Sequence, residues 1–371
     1  MKPKIVAYFS DAPYIGGAEK YLSLLALSLD RKRFSPVLIM NSNPELESLK
    51  MCLASEDIPV HEVSLRLPGT MRGTGRFRSI VRSIGPDILH LNLPGPHSAQ
   101  YSLVAPIARL SGARHVVSTE HLPMIPTFFK GRMLKSFATK WIERVITVSG
   151  NNKHYLEANH GIPASKIRVV HIGIPDESAV EPAGIREHLQ LPRDSFLLLI
   201  AAALEERKGH ETAFRALASL PKSVHLLVAG TGSRAGDIRE CARDAGVADR
   251  AHFVGHRDDV PALMRDADLL ILPSLLEATP YVIIEAMAAR LPVVASNIYG
   301  IPELLEEGGT GLLAEPGDDT AFAGHIERLM ADADLRANMG IAGRKRFEER
   351  FTLSESVSKT VAVYEELLGK V

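Results

Sequence analysis

Cysteine is scarce in this chain: only Cys52 and Cys241 occur in 371 residues. They stand far apart and form no ligand motif, which excludes a disulfide framework and a cysteine metal site and suits a reducing, cytoplasmic compartment. His90, His97, His171, His210 and His256 share no metal-ligand spacing, so no metal is expected. No apolar run approaches the roughly 18–20 residues that a membrane-spanning helix needs. The opening MKPKIVAYFS alternates into a polar loop and reads as a first strand, not as a signal sequence. Low-complexity tracts, long blocks of like charge and internal repeats are also missing, so the chain is expected to fold throughout.

What is present is an ordinary globular composition, 46% apolar and 23% charged. The length suits two domains of about 150–190 residues each. Short β-branched runs alternate with stretches of helical period, the pattern of parallel βαβ units. The first series is KIVAYF, PVLIM, VHEVSL, DILHLN, HVVST, RVITVS and RVVHIGI; the second is SFLLLIAAA, SVHLLVAG, AHFVG, DLLILPS, PVVAS and GLLAEP. Many are apolar almost continuously, as strands covered by helices on both faces must be. Residues 175–195, rich in proline and dispersed charge, read as the linker between the two series. The expected organisation is a Rossmann-like domain over 1–175, a second over 176–350, and a C-terminal helix over 351–371 packing back toward the first. Charge is uneven although the net is −1: residues 1–190 carry 23 Lys and Arg against 16 Asp and Glu, the remainder 20 against 28.

Ligands of doubly wound sheets bind at the carboxyl ends of the strands, so the loops after the apolar runs are where chemistry is sought. In SDAPYIGGAEK, Gly16 and Gly17 permit close backbone approach and open a helix whose amides face an anion, although two glycines in a tight turn suit this loop equally well. In PSLLEATPYVIIEAMA, Glu277 lies in a loop, Pro280 fits the first helical position, and Tyr281 and Val282 offer helix-start amides. Glu285 stands among Ile283, Ile284, Ala286 and Met287, where a carboxylate needs a cation or ligand hydroxyls as partner. Lys208 precedes a helix at the same sheet edge and supplies a point charge for a diphosphate. His121, after HVVSTE, is placed to bind a sugar hydroxyl or move a proton, with a structural histidine as the rival reading. The DAD of Asp266 to Asp268 sits just before a strand and reads as structural.

Taken together these motifs resemble glycosyltransferase family 4, retaining enzymes of the GT-B fold, over essentially the whole chain. The carrier is the pair Glu277 and Glu285; IGGAE, TEHLP, VITVS, Lys208 with Gly209, AGTG, FVG and YGIPE followed by GGTGLLAEPGD support it in order and spacing. The resemblance implies two Rossmann-like doubly wound sheets facing a central cleft, with a nucleotide-sugar donor, UDP-sugar favoured, held mainly by the second domain. It implies that Glu285 holds the ribose hydroxyls and that Glu277, Ala278 and Thr279 contact the sugar. The base would lie against Val254 and Gly255, and Lys208 with the amides of Tyr281 and Val282 would bind the diphosphate. Gly16 and Gly17 would approach donor and acceptor, and His121 the transferred sugar. The resemblance further implies transfer with retention and without metal, the leaving phosphate helping to deprotonate the acceptor on the same face. Two departures stand out: Ala202 and Ala203 replace the usual Gly-Arg, making Arg207 the candidate second phosphate ligand, and Ile172 to Pro175 replace the usual Asn-Gly-hydrophobic-Asp.

A glycan or glycolipid acceptor of cell-envelope or polysaccharide synthesis is the accompanying expectation. The rivals are a GT-B sugar-nucleotide epimerase and a catalytically silent sugar-nucleotide-binding protein; a nicotinamide dehydrogenase is disfavoured because GTGSRAG follows the wrong strand of its series. Arg66, Arg72, Arg76, Arg78 and Arg82, with Lys130, Arg132, Lys135, Lys140 and Arg144, suggest peripheral attachment to an anionic inner membrane face. No aromatic stacking platform accompanies that charge, so nucleic acid is not an expected partner.

Overall fold

The apolar runs fold as strands in the places that their periodicity marks. The computed structural model describes residues 2–65, 70–93, 103–121, 129–277 and 279–369, the side chains of 70, 71 and 129–132 excepted. The first sheet contains β1 (Lys4–Ser10), β2 (Phe34–Met40), β3 (Val60–Glu62), β4 (Ile88–Leu93), β5 (His115–Glu120), β6 (Arg144–Thr147) and β7 (Ile167–Val169). Its order is β3-β2-β1-β4-β5-β6-β7, every pair parallel. The second contains β8 (Phe196–Ala201), β9 (Val224–Ala229), β10 (Ala251–Gly255), β11 (Leu269–Leu272), β12 (Val293–Ser296) and β13 (Gly311–Ala314), ordered β10-β9-β8-β11-β12-β13 and again parallel.

Each sheet is the spine of one unit, Met1–Gly173 with Leu353–Val371 and Ile174–Thr352 respectively. The C-terminal helix Leu353–Leu368 therefore belongs to the first unit. It is held there by Arg144 and Arg168, which reach Glu366 at 2.6 and 2.8 Å, and by a contact of Arg33 with Glu365. Strands such as Leu197–Ile200 are wholly buried, each aliphatic side chain contributing about 1.5–3 kcal/mol of transfer free energy.

Residues 175–195 are not a free linker. They contain the short helix Ile185–His188, whose Ile185 N–H donates to Asp266 Oδ2 at 2.9 Å while Arg186 binds Asp268 Oδ2 at 2.5 Å. Asp268 also accepts from Leu197 N–H at 2.7 Å. The DAD aspartates thus tie this segment to the second unit, because buried backbone donors ahead of β8 require acceptors.

Candidate functional site

In an open parallel sheet the crevice lies where neighbouring strands leave in opposite directions. For the second sheet that point is between β8 and β11, and the two loops that leave there carry Lys208 and Glu277. Their backbones are stitched together: the Arg207 carbonyl accepts from Leu275 N–H at 2.8 Å and Leu276 N–H at 3.4 Å. Gly209 has φ +66°, and a Cβ on it would lie 1.9 Å from the Pro273 oxygen, so glycine is required on both counts. The result brings the Lys208 ammonium onto Glu277 Oε1, which also accepts from Ser274 Oγ at 3.1 Å. The two side chains are only 13% and 8% exposed, so a compact, largely desolvated pair sits at the mouth of the sheet.

The helix Tyr281–Ala288 begins one residue later than expected. Pro280 is its N-cap and not its first residue, since a ψ of 120° is extended. Just before it, the Thr279 hydroxyl is buried and has no hydrogen-bond partner among the described residues. Val282 is buried in the first turn; Tyr281 and Glu285 are half-buried, so Glu285 is less enclosed than its apolar neighbours suggest. Ala278 lies outside the described residues. Arg207 turns its exposed guanidinium to Glu205 at 2.7 Å. At the far side, Gly255 has φ +73° and its carbonyl accepts from Gly230 N–H at 2.7 Å, with Val254 half-buried beside it. The AGTG loop is tight for the same reason as Gly209: a Cβ on Gly230 would meet the Ala202 oxygen at 2.0 Å.

The first unit places its polar groups at the corresponding edge. The helix Gly17–Leu27 starts at Gly17, one residue before the expected Ala18, with Gly16 as N-cap. Gly16 is extended, φ −123°, so its conformation does not demand glycine; a Cβ there would instead press on Glu19 Oε2 at 3.3 Å. Glu19 is 2% exposed, accepts from Ser10 Oγ at 2.9 Å and from Gly16 N–H at 3.2 Å, and burial pushes its carboxyl above the ordinary range. His121 lies under the Tyr21 ring, centroids 5.2 Å apart, and donates from Nε2 to Asn92 Oδ1 at 2.8 Å. Asn92 is oriented by donating its amide to the Ala18 carbonyl at 3.1 Å, which fixes the donor at His121 as Nε2–H. Burial lowers the His121 pKa to about 4, so the ring is neutral near pH 7 and Nδ1 is left as an acceptor.

Two family models match this chain: Glycosyltransferase Family 4 over residues 15–178 and Glycosyl transferases group 1 over residues 183–346. The chain belongs to glycosyltransferase family 4. This family 4 chain is 27% identical over 290 residues to the N-acetyl-alpha-D-glucosaminyl L-malate synthase of Bacillus anthracis, covering 76% of this chain and 75% of that one. It is 29% identical over 269 residues to the GDP-mannose-dependent alpha-(1-6)-phosphatidylinositol monomannoside mannosyltransferase of Mycobacterium tuberculosis, covering 67% and 69%. Among solved structures, Anabaena HepE in complex with UDP superposes with a TM-score of 0.86 at 22% identity over 98% of this chain and 100% of that one. The two parallel Rossmann-like sheets are of the GT-B type.

Several residues of this glycosyltransferase escaped the motif reading. Glu19 was detectable, because Gly16 and Glu19 have capping-box spacing; Asn92, Ser274 and Tyr21 carry no local signal. The basic clusters need correction. Lys135 is buried and donates to Glu120 at 2.5 Å, and Arg144 binds Glu366, so neither is offered to an external anion. Arg66 and the side chains of Lys130 and Arg132 lie outside the described residues. Arg72, Arg76, Arg78 and Arg82 remain exposed on the helix Thr70–Ile84, as does Lys140 after its own helix.

Proposed function

We propose that this chain is a retaining hexosyltransferase that takes its sugar from a nucleotide-diphosphate donor and passes it to a glycan or glycolipid of cell-envelope or polysaccharide synthesis. The observation that carries the reading is the Lys208–Glu277 pair at the switch point of the second sheet, beside the unpartnered Thr279 hydroxyl and a helix start. A diphosphate replaces Glu277 as the partner of Lys208, Glu277 and Thr279 turn to sugar hydroxyls, and Glu285 takes the ribose. Arg207 joins the phosphates: its exposed pair with Glu205 is worth only about 0–1 kcal/mol and yields readily to a dianion. His121 presents Nδ1 to a hydroxyl of the transferred sugar. The reaction runs on one face, the departing phosphate taking the acceptor proton, so that neither an enzymic nucleophile nor a metal is required.

A UDP-sugar is favoured, since the relative in the solved complex carries UDP. The mannosyltransferase relative, whose acceptor is a phosphatidylinositol mannoside, supports a glycolipid. Among the described residues no helix is long and apolar enough to cross a membrane. We place the protein in the cytoplasm, weakly attached to the anionic inner face through Arg72, Arg76, Arg78 and Arg82 and through Met133 and Phe137, which are 60% and 50% exposed one turn apart. Loss of binding to phosphatidylglycerol vesicles in the Arg76→Glu/Arg78→Glu variant tests that attachment.

A thermal-shift screen against UDP-, GDP- and ADP-sugars tests the donor, because a ligand bound only by the folded state raises its stability. The matching donor is then expected to yield an α-linked product from an α-donor, read by NMR of the anomeric proton. An inverted product ends the retaining reading; isomerisation of donor without acceptor favours the epimerase, and binding without hydrolysis or transfer favours the silent binding protein.

A further inference from the structure

The first sheet has two unlike faces. In parallel strands, laterally paired residues share a face and alternate residues return to it. Tyr8 pairs with His90, His90 with Val117, and Asn92 with Thr119. Tyr8, Ser10, His90, Asn92 and Thr119 therefore project to one side, and His121, two residues beyond Thr119, joins Asn92 there. The opposite face carries Ala7, Phe9, Leu89, Leu91, Leu93 and Val116 in an apolar core. A polar seam thus runs up the buried face of the central strands and ends at His121.

The seam is closed from below by the C-terminal helix. Tyr364, 274 residues from His90 in sequence, donates its hydroxyl to Tyr8 Oη at 3.3 Å and accepts from His90 Nδ1 at 2.6 Å. His90 Nε2 in turn meets Thr119 Oγ1 at 2.6 Å. Tyr8, His90, Thr119 and Tyr364 are all fully buried. Burial lowers the His90 pKa to about 3, so the ring stays neutral, with one nitrogen donating and the other accepting. Four buried polar groups in a directional chain cost desolvation that aliphatic residues would avoid; what such a chain supplies is one fixed arrangement of the groups it joins.

We propose that Tyr364 and His90 are positioning residues for His121: the C-terminal helix, through the chain Tyr364–His90–Thr119, fixes the ends of β4 and β5 that bring Asn92 and His121 together. The inference rests on the reading that His121 faces the transferred sugar. Tyr364→Phe keeps the ring and removes the hydroxyl, stranding His90 Nδ1; Thr119→Val strands Nε2. In full-length protein labelled with ¹⁵N-histidine, the imidazole spectrum of the native chain is expected to show His121 as the neutral Nε2–H tautomer. Each variant is expected to shift or broaden that signal. Each also lowers the kcat of nucleoside-diphosphate release from the donor chosen by the screen, on the order of tenfold, with donor KM and affinity for that nucleoside diphosphate within twofold. Because both act through His90, the double variant is no worse than the poorer single one. Variants that melt earlier but leave the His121 signal and kcat unchanged overturn the proposal and reduce the chain to a stability element. His121→Asn at full kcat instead removes the reading of His121 itself, whereas an inactive His121→Asn beside a fully active Tyr364→Phe removes only the positioning role.

Discussion

Replacing Lys208 by Met should strand Glu277. The carboxylate is 8% exposed and would keep one hydrogen bond, from Ser274 at 3.1 Å. Removing one partner of a buried pair costs about 3–5 kcal/mol, and the surviving bond and the position at a loop mouth place this case near 3 kcal/mol. In a folding unit of roughly 150–250 residues, 1 kcal/mol moves Tm by about 2–4 °C, so a fall of about 6–12 °C is expected in the transition of the second unit. Adding Glu277→Gln removes the stranded charge and should recover at least half of that loss, a coupling of about 1.5–3 kcal/mol in a double-mutant cycle. Calorimetry of the full-length chain and its three variants measures both quantities. UDP-sugar titrations separate stability from function, since the double variant regains stability but not donor affinity. If Lys208→Met melts within about 1 kcal/mol of the native chain, the pair is hydrated and the argument from desolvation is wrong.

Three further outcomes are expected. Gly209→Ala forces a Cβ into the Pro273 carbonyl at positive φ and should cost more than about 2 kcal/mol by urea unfolding, with donor binding lost, because the two loops separate. Arg290 holds φ +59° just beyond the C-terminal end of the helix Tyr281–Ala288, where glycine is favoured; Arg290→Gly should raise stability by about 0.5–1 kcal/mol, and a lowered urea midpoint would contradict this. Acid should weaken the first unit: His90 and His121 ionise at about 3 and about 4 when folded but near 6.5 when unfolded, so below pH 6.5 the unfolded chain binds more protons and stability falls with pH. Each histidine removes about 2 kcal/mol at pH 5 relative to pH 8, and urea midpoints of the native chain and His121→Asn should converge as pH drops; parallel slopes would refute the assignment to His121.

Strand identity was readable because near-continuous apolar runs have one use in a chain of this size, the interior of a covered parallel sheet. KIVAYF and FLLLIA needed no tertiary information to become β1 and β8. Helix starts were readable to within a residue, and the misses at Pro280 and Gly16 have a common cause: a cap is set by a single ψ angle, which composition does not encode. Lys135 was misread for a different reason. Fifteen residues separate it from Glu120, and nothing in local sequence distinguishes a lysine that turns inward to a buried carboxylate from one that faces solvent.

The tertiary partners also explain which motif residues are scaffold and which are left for chemistry. Gly16, Gly209 and Gly230 are accounted for by crowding within their own loops or the next one, and Glu19 by its capping box and Ser10. Their loss would act first on folding. The Thr279 hydroxyl has no such account: it is buried with no hydrogen-bond partner among the described residues. Its place at the loop–helix junction on the carboxyl edge of the second sheet, where ligands of doubly wound sheets bind, is what sets it apart from buried unpaired atoms such as Ser118 Oγ and Ser195 Oγ. Donor and sugar recognition is therefore better sought at Thr279 than at the glycines that made the motifs visible.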